Sequence, residues 1–190
     1  MIWFTADWHL GDDRFLEENP LFRPFTSLEQ QQRVILDHVN AVVQPNDHLY
    51  HLGDVCMTLE TLPLLDQVKC KNRTLILGNY DEDQEEKLEL LPQYFDYIHQ
   101  ELLLNLSTGE QVYLNHYPVN AQPDYFNLVG HIHGLWKVQP NMVNVGVDAW
   151  HFRPVSEDRI IYTINAIRNH YDQNVFPNKT TNNEEQSNDS

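Results

Sequence analysis

Side chains that can ligate a metal or move a proton recur at the ends of apolar runs in five short stretches: DWH at 7–9, LGD at 52–54, GNYD at 78–81, NHYP at 115–118 and GHIHG at 130–134. They supply seven candidate ligands: Asp7, His9, Asp54, Asn79, His116, His131 and His133. Carboxylate and amide oxygens suit Mg²⁺, Mn²⁺ and Fe, while imidazole suits Zn²⁺, Fe, Mn²⁺ and Ni²⁺. Seven ligands over-supply one ion, whereas two ions about 3.5–4 Å apart that share a carboxylate would use them all. Asp54, central in the chain order, is the natural bridge.

Each stretch alone has an ordinary structural explanation. An Asp-x-His pair is usually a turn, Gly-Asp after a strand is a common helix cap, and Gly-Asn is common turn chemistry. A lone His-x-His pair also occurs on plain surfaces. What separates the series from chance is its order, because each polar group closes a run of apolar residues.

Those runs define the elements that must position the groups. IWFTAD reads as a first strand, and Leu28, Val34, Ile35, Val39 and Val42 then recur at helical spacing behind Ser27 as N-cap. HLYHLGD reads as a second strand, 59–68 as a second helix and RTLIL as a third strand, a β-α-β-α-β opening. A short helix near 85–91 follows, then strands in YIHQELLLNL, QVYLNHY, FNLVGHI and MVNVGV, and a final helix from Ser156 with Ile160, Ile161, Ile164 and Ile167 on one face. Alternating elements followed by strands predict an α/β sandwich. In open α/β sheets ligands bind beyond the carboxyl ends of the strands, where these polar groups fall.

Length and composition bound the rest. The 190 residues, 41% hydrophobic, fit one domain over 1–173 with a real core, and 174–190 reads as an acidic, polar, disordered tail. A net charge of −16 disfavours long nucleic acids, whose binding depends on Lys and Arg displacing counterions. No stretch approaches the ~20 apolar residues of a membrane span, and the first residues do not read as a signal peptide. Cys56 and Cys70 are expected as reduced core thiols in a cytoplasmic protein.

The assembled series D-x-H, G-D, G-N-x-D, H and G-H-x-H resembles the calcineurin-like metallophosphoesterase superfamily. FRPF at 22–25, YHLGD at 50–54 and NVGVDAWHFRPVS at 144–156 look like its small bacterial and phage branch. The resemblance implies two facing β-sheets flanked by helices. It implies two divalent ions, Mn²⁺ first with Ni²⁺, Zn²⁺ or Fe as alternatives. Asp7, His9 and His133 would hold one, Asn79, His116 and His131 the other, and Asp54 would bridge. The implied activity is hydrolysis of a small phosphoester by metal-activated water attacking phosphorus in line with the leaving oxygen.

Two departures from the family pattern matter. Relatives often carry His after the motif Asn, oriented by the following Asp; this chain has Tyr80 and Asp81, both taken as candidate catalytic residues. A phenol with a pKa of about 10 donates a hydrogen bond but shuttles protons poorly at neutral pH, which favours a phosphodiester over an alkyl monoester. Tyr80 simply packing beside the site is an equal reading. In LGDDR, relatives often place His where this chain has Asp12, which weakens the first loop as a phosphate contact. Arg23 and Arg153, each in an aromatic-flanked Arg-Pro, are the candidate substrate-binding residues, though structural ion pairing is the favoured role for both. A nucleotide or cyclic-dinucleotide phosphodiesterase is the specific alternative, and a non-catalytic scaffold on the same fold the alternative of another class.

Overall fold

The computed structural model describes residues 1–14, 16 and 22–170. One sheet holds β1 (Ile2–Thr5), β2 (His48–His51), β3 (Asn72–Ile76) and β4 (Tyr97–His99), all parallel, with β10 (Val155–Ser156) antiparallel on the outer side of β1. The other holds β5 (Glu101–Asn105), β6 (Gln111–Asn115), β7 (Phe126–Val129), β8 (Val138–Gln139) and β9 (Met142–Asn144), in the spatial order β5-β6-β7-β9-β8. Among the described residues three α-helices accompany them: α1 (Leu28–Val42), α2 (Glu85–Leu90) and α3 (Glu157–His170). The result is a mixed α/β sandwich.

Side chains alternate across a strand, so the first sheet feeds two cores. Trp3, Leu49 and Leu75 face a layer containing Ile35, Leu36 and Val39 of α1. Phe4, Tyr50 and Ile76 face the second sheet, meeting Val112, Leu114, Phe126, Leu128 and Val143, and Ile160 and Ile164 of α3 close that inter-sheet core. Helix α1 begins where expected, with Ser27 Oγ accepting from Gln30 N at 3.2 Å.

Four elements differ from expectation. The stretch read as a second helix forms 3-10 turns over Leu59–Gln67, since Pro63 inside it removes an N–H and crowds the preceding turn. YIHQELLLNL is two strands, β4 and β5, that pass from one sheet to the other around Gln100. The two-residue strands β8 and β10 are too short for periodicity to resolve. The expected tail at 174–190 lies outside the described residues. Cys56 and Cys70 are buried and free, and no described helix is long and apolar enough to cross a membrane.

His51 ends β2 fully buried, edge-on to Trp8 at 4.7 Å, with neither ring nitrogen hydrogen-bonded among the described residues. Burial pulls its pKa down from 6.5 to about 3. The folded chain therefore keeps the ring neutral where the unfolded chain protonates it. This contribution to stability is intact above pH ~6.5 and is lost as pH falls toward ~3, by about 1.4 kcal/mol per unit. His51→Phe, which binds no proton, should show a shallower fall of unfolding free energy between about pH 6 and 4 in urea titrations; parallel curves for the two proteins would rule this out.

Candidate metal centre

The loops leaving β1 and β2 run side by side past the sheet edge. Asp7 N donates to Gly53 O, His9 N to Asp54 O and Leu10 N to Val55 O, each at 3.0 Å. Between Asp7 and His9, Trp8 is buried and anchored by Nε1 donating to Thr5 Oγ1 at 2.8 Å. An apolar anchor inside a polar pair forces the chain to fold sharply on either side of it. Asp7, His9 and Asp54 take φ of 58°, 48° and 59°, and His131 and His133 take 72° and 51°. Asp and His tolerate this left-handed region better than most residues, yet it costs on the order of 1–3 kcal/mol each, and such strain concentrates at functional sites.

Two clusters result. Ligand atoms of Asp7, His9 and Asp54 lie within 4.8 Å of one another, and so do those of Asp54, His116 and His131. Asp54 belongs to both: its Oδ1 accepts from Tyr80 N at 2.9 Å, while Oδ2 stands 3.4 Å from His9 Nε2 and 3.3 Å from His116 Nε2. Asn79 Oδ1 lies 3.2 Å from His131 Nδ1, and the His133 ring centroid is 5.0 Å from that of His9. All seven residues selected from sequence thus come together. These clusters of Asp and His can hold metal ions.

The surrounding groups orient the imidazoles. His116 Nδ1 lies 2.7 Å from Leu52 O, so this nitrogen carries the proton and Nε2 faces Asp54. His133 Nδ1 contacts Asp148 Oδ2 at 2.8 Å, the carboxylate–histidine arrangement that fixes a ligand's tautomer. Asp148 in turn takes Arg23 Nε at 2.8 Å and Nη2 at 3.0 Å. Arg23 also donates from Nη1 to Trp8 O at 3.0 Å and from Nη2 to Asp7 O. Asp7 Oδ1 accepts from His131 N at 2.9 Å, whereas its Oδ2 is buried with no hydrogen-bond partner among the described residues.

Charge balance follows these contacts. Burial lowers the proton affinity of His9, and burial with the neighbouring His116 lowers that of His131. At His116 burial also acts downward, but Asp54, Asp7 and the Leu52 carbonyl outweigh it and raise the pKa to about 9. Burial opposes ionisation of Asp54 and of Asp148, yet their histidine partners hold both below the usual carboxylate range.

The remaining candidates are placed differently. Asp81 spends both oxygens on the main chain: Oδ2 accepts from Asp54 N at 2.8 Å and Gly78 N at 2.9 Å, and Oδ1 from Val55 N at 3.0 Å. Burial pushes its pKa up to about 6, and it buckles the β2 loop to the β3 loop rather than steering an imidazole. Tyr80 is half-buried, its ring edge-on to His9 at 5.1 Å between centroids. Arg23 is fully buried, bracing the Asp7–His9 loop from behind with no face open to a phosphate. Arg153 is exposed and follows His151 and Phe152, both at positive φ.

Sequence reasoning missed Asp148 and Lys87. Lys87 is buried and donates from Nζ to Cys56 O and Met57 O at 3.2 Å, to Tyr80 O and to Asp83 Oδ1 at 2.7 Å, pinning the same two loops. Only the Asp83–Lys87 spacing of four residues hinted at a contact. Glycine is required where these loops touch: a Cβ on Gly78 would fall 2.4 Å from Asp54 Oδ1, and one on Gly53 2.4 Å from His116 Nδ1.

No protein-family model and no curated protein matches the chain. Among solved structures, the fold is similar to the crystal structure of a protein of unknown function from Aquifex aeolicus, at 25% identity over 86% of this chain and 99% of that one, with a TM-score of 0.69. A conserved uncharacterized protein from Streptococcus pneumoniae TIGR4, described as a predicted phosphoesterase, aligns at 14% identity over 76% of this chain and 70% of that one, with a TM-score of 0.36, too loose a superposition to carry an argument. The first of these similarities is one of overall architecture, a two-sheet α/β sandwich shared along almost the whole of the Aquifex chain.

Proposed function

We propose that this chain is a dinuclear metal-dependent phosphoesterase acting on a small phosphodiester, with nucleotides and cyclic dinucleotides as the substrate class of first interest. The observation that carries this reading is the membership of Asp54 in both ligand clusters. Asp7, His9 and His133 would hold one ion and Asn79, His116 and His131 the other, with Asp54 between them. The residues fit such ions: Asp7 Oδ2 and His116 Nε2 are buried without a hydrogen-bond partner among the described residues, and His116 and His133 are each oriented through Nδ1. A non-catalytic scaffold has no need of seven intact ligands, five of them held at the expense of backbone strain.

Bound there, two divalent cations supply Lewis-acid polarisation of phosphoryl oxygens and a water of lowered pKa. The chain's own residues then divide the labour. Asp148 and Leu52 O hold the imidazole tautomers, Asp81 and Lys87 keep the Asp54 and Asn79 loops in register, and Tyr80 borders the position next to His9. A phenol there offers a hydrogen bond rather than a proton to the departing oxygen, so substrates whose leaving group needs little protonation are favoured.

Hydrolysis of an aryl phosphodiester should require Mn²⁺ or a similar ion, stop with EDTA, and fall at least about 100-fold in kcat for Asp54→Asn. Absence of turnover with every metal, together with no calorimetric metal binding, would defeat the reading. Asp148→Asn, which keeps the shape but not the charge beside His133, should weaken metal affinity by roughly 10–100-fold while the far-ultraviolet spectrum stays unchanged. For Tyr80, replacement by Phe should reduce diester turnover several-fold if the hydroxyl contacts substrate, and replacement by His should raise monoester over diester activity; unchanged ratios in both variants would reduce Tyr80 to packing.

A further inference from the structure

Arg14 is absent from the ligand set and from the expected substrate contacts, yet it stands at the rim of the centre. Its Nε donates to Asp12 Oδ1 at 2.8 Å and its Nη2 to Asp12 Oδ2 at 2.7 Å, a bidentate fork, and its guanidinium carbon lies 5.3 Å from the centroid of the Tyr80 ring. Asp12 is buried, and its Oδ2 is 3.6 Å from His9 Nδ1. Tyr80 therefore neighbours both Arg14 and the His9 ring, whose centroid is 5.1 Å away. Among the cations tied to this centre, Arg23 and Lys87 are both fully buried, while the Arg14 side chain is 45% exposed. In a chain of charge −16 with 12 Lys and Arg, a guanidinium clamped at two points and stacked on an aromatic ring is an organised group with a solvent face.

We propose that Arg14 is a specificity-determining residue that receives a second phosphate of the substrate, beyond the scissile one. The proposal rests on the phosphoesterase reading of the adjoining centre. Position and chemistry both point this way. The scissile phosphate belongs at the Asp54 clusters, and Arg14 borders them, sharing Asp12 with His9 and contacting Tyr80, where a neighbouring phosphate of the same molecule would be met. Guanidinium presents planar donors suited to phosphate oxygens; Asp12 takes Nε and one Nη2 hydrogen, so a phosphate would be met by the remaining guanidinium hydrogens, on a group whose freedom is already reduced. Asp12 thus does more than leave the first loop without a histidine: it carries a cation to the rim.

The test compares a dinucleoside monophosphate, ApA, with its 5′-phosphorylated form, pApA. Calorimetry in EDTA, where hydrolysis cannot proceed, should show the wild-type protein binding pApA at least about tenfold more tightly than ApA. Arg14→Gln should abolish that difference and Arg14→Lys should retain part of it. No preference in the wild type, binding of neither compound, or a preference that survives in Arg14→Gln would overturn the proposal. Mn²⁺ affinity should be equal in wild type and Arg14→Gln; a fall would mean that Arg14 acts through Asp12 on His9, which also overturns it. A wild-type preference for pApA without hydrolysis of any ester would instead defeat the phosphoesterase reading and leave the Arg14 site standing.

Discussion

Burying carboxylates at the edge of one sheet is the constraint around which this structure is organised. Asp7, Asp12, Asp54 and Asp81 are nearly inaccessible, and the Asp148 side chain is fully buried. An ionised carboxylate removed from water without compensation costs many kcal/mol, so each must be answered locally. Backbone N–H groups answer Asp81 three times, Asp54 once through Tyr80 and Asp7 once through His131. Arginine answers Asp12 and Asp148. The balance is incomplete at Asp7 Oδ2, and at Asp54 Oδ2 it is met by imidazoles at 3.3 and 3.4 Å. Acceptor capacity is left over there, which is where a cation could be held.

The same bonds set the backbone. Three parallel strands end together, and the first two loops stay paired beyond their last ladder bonds through Asp7, His9 and Leu10. Trp8 turns inward while its two neighbours reach the site, and left-handed φ at Asp7, His9 and Asp54 is the conformational consequence. Asp81, Lys87 and Arg23 hold that strained arrangement through main-chain contacts, which makes them positioning residues whose loss would be felt at the Asp7, His9 and Asp54 side chains.

Much of this was legible beforehand. Strands β1 to β3 and helix α1 carry strong hydrophobic periodicity and a correct cap at Ser27, and all seven proposed ligands follow from short local patterns in which a strand end, a glycine and a polar residue coincide. Local pattern fails where partners are far apart. Asp148 meets Arg23 across 125 residues, and nothing around either residue announces the other. The Arg-Pro context of Arg23 admits a phosphate contact or a structural ion pair, and only the fold shows it enclosed and paired with Asp148. Asp81 reads as a helper to its neighbour, while in the fold its acceptors are taken by amides of another loop.

By itself, then, the sequence determined the ligand chemistry, the order in which ligands leave successive strands and the two-layer α/β character, since all of these follow from residue type and short-range period. Tertiary structure decided that Asp54 belongs to two clusters, that Asp148 and Leu52 O choose the histidine tautomers, and that Arg14 rather than Arg23 keeps a face toward solvent. The reason is physical: residue type says what a group can bind, but burial, the identity of its long-range partner and the side from which it is approached exist only once the two sheets have closed.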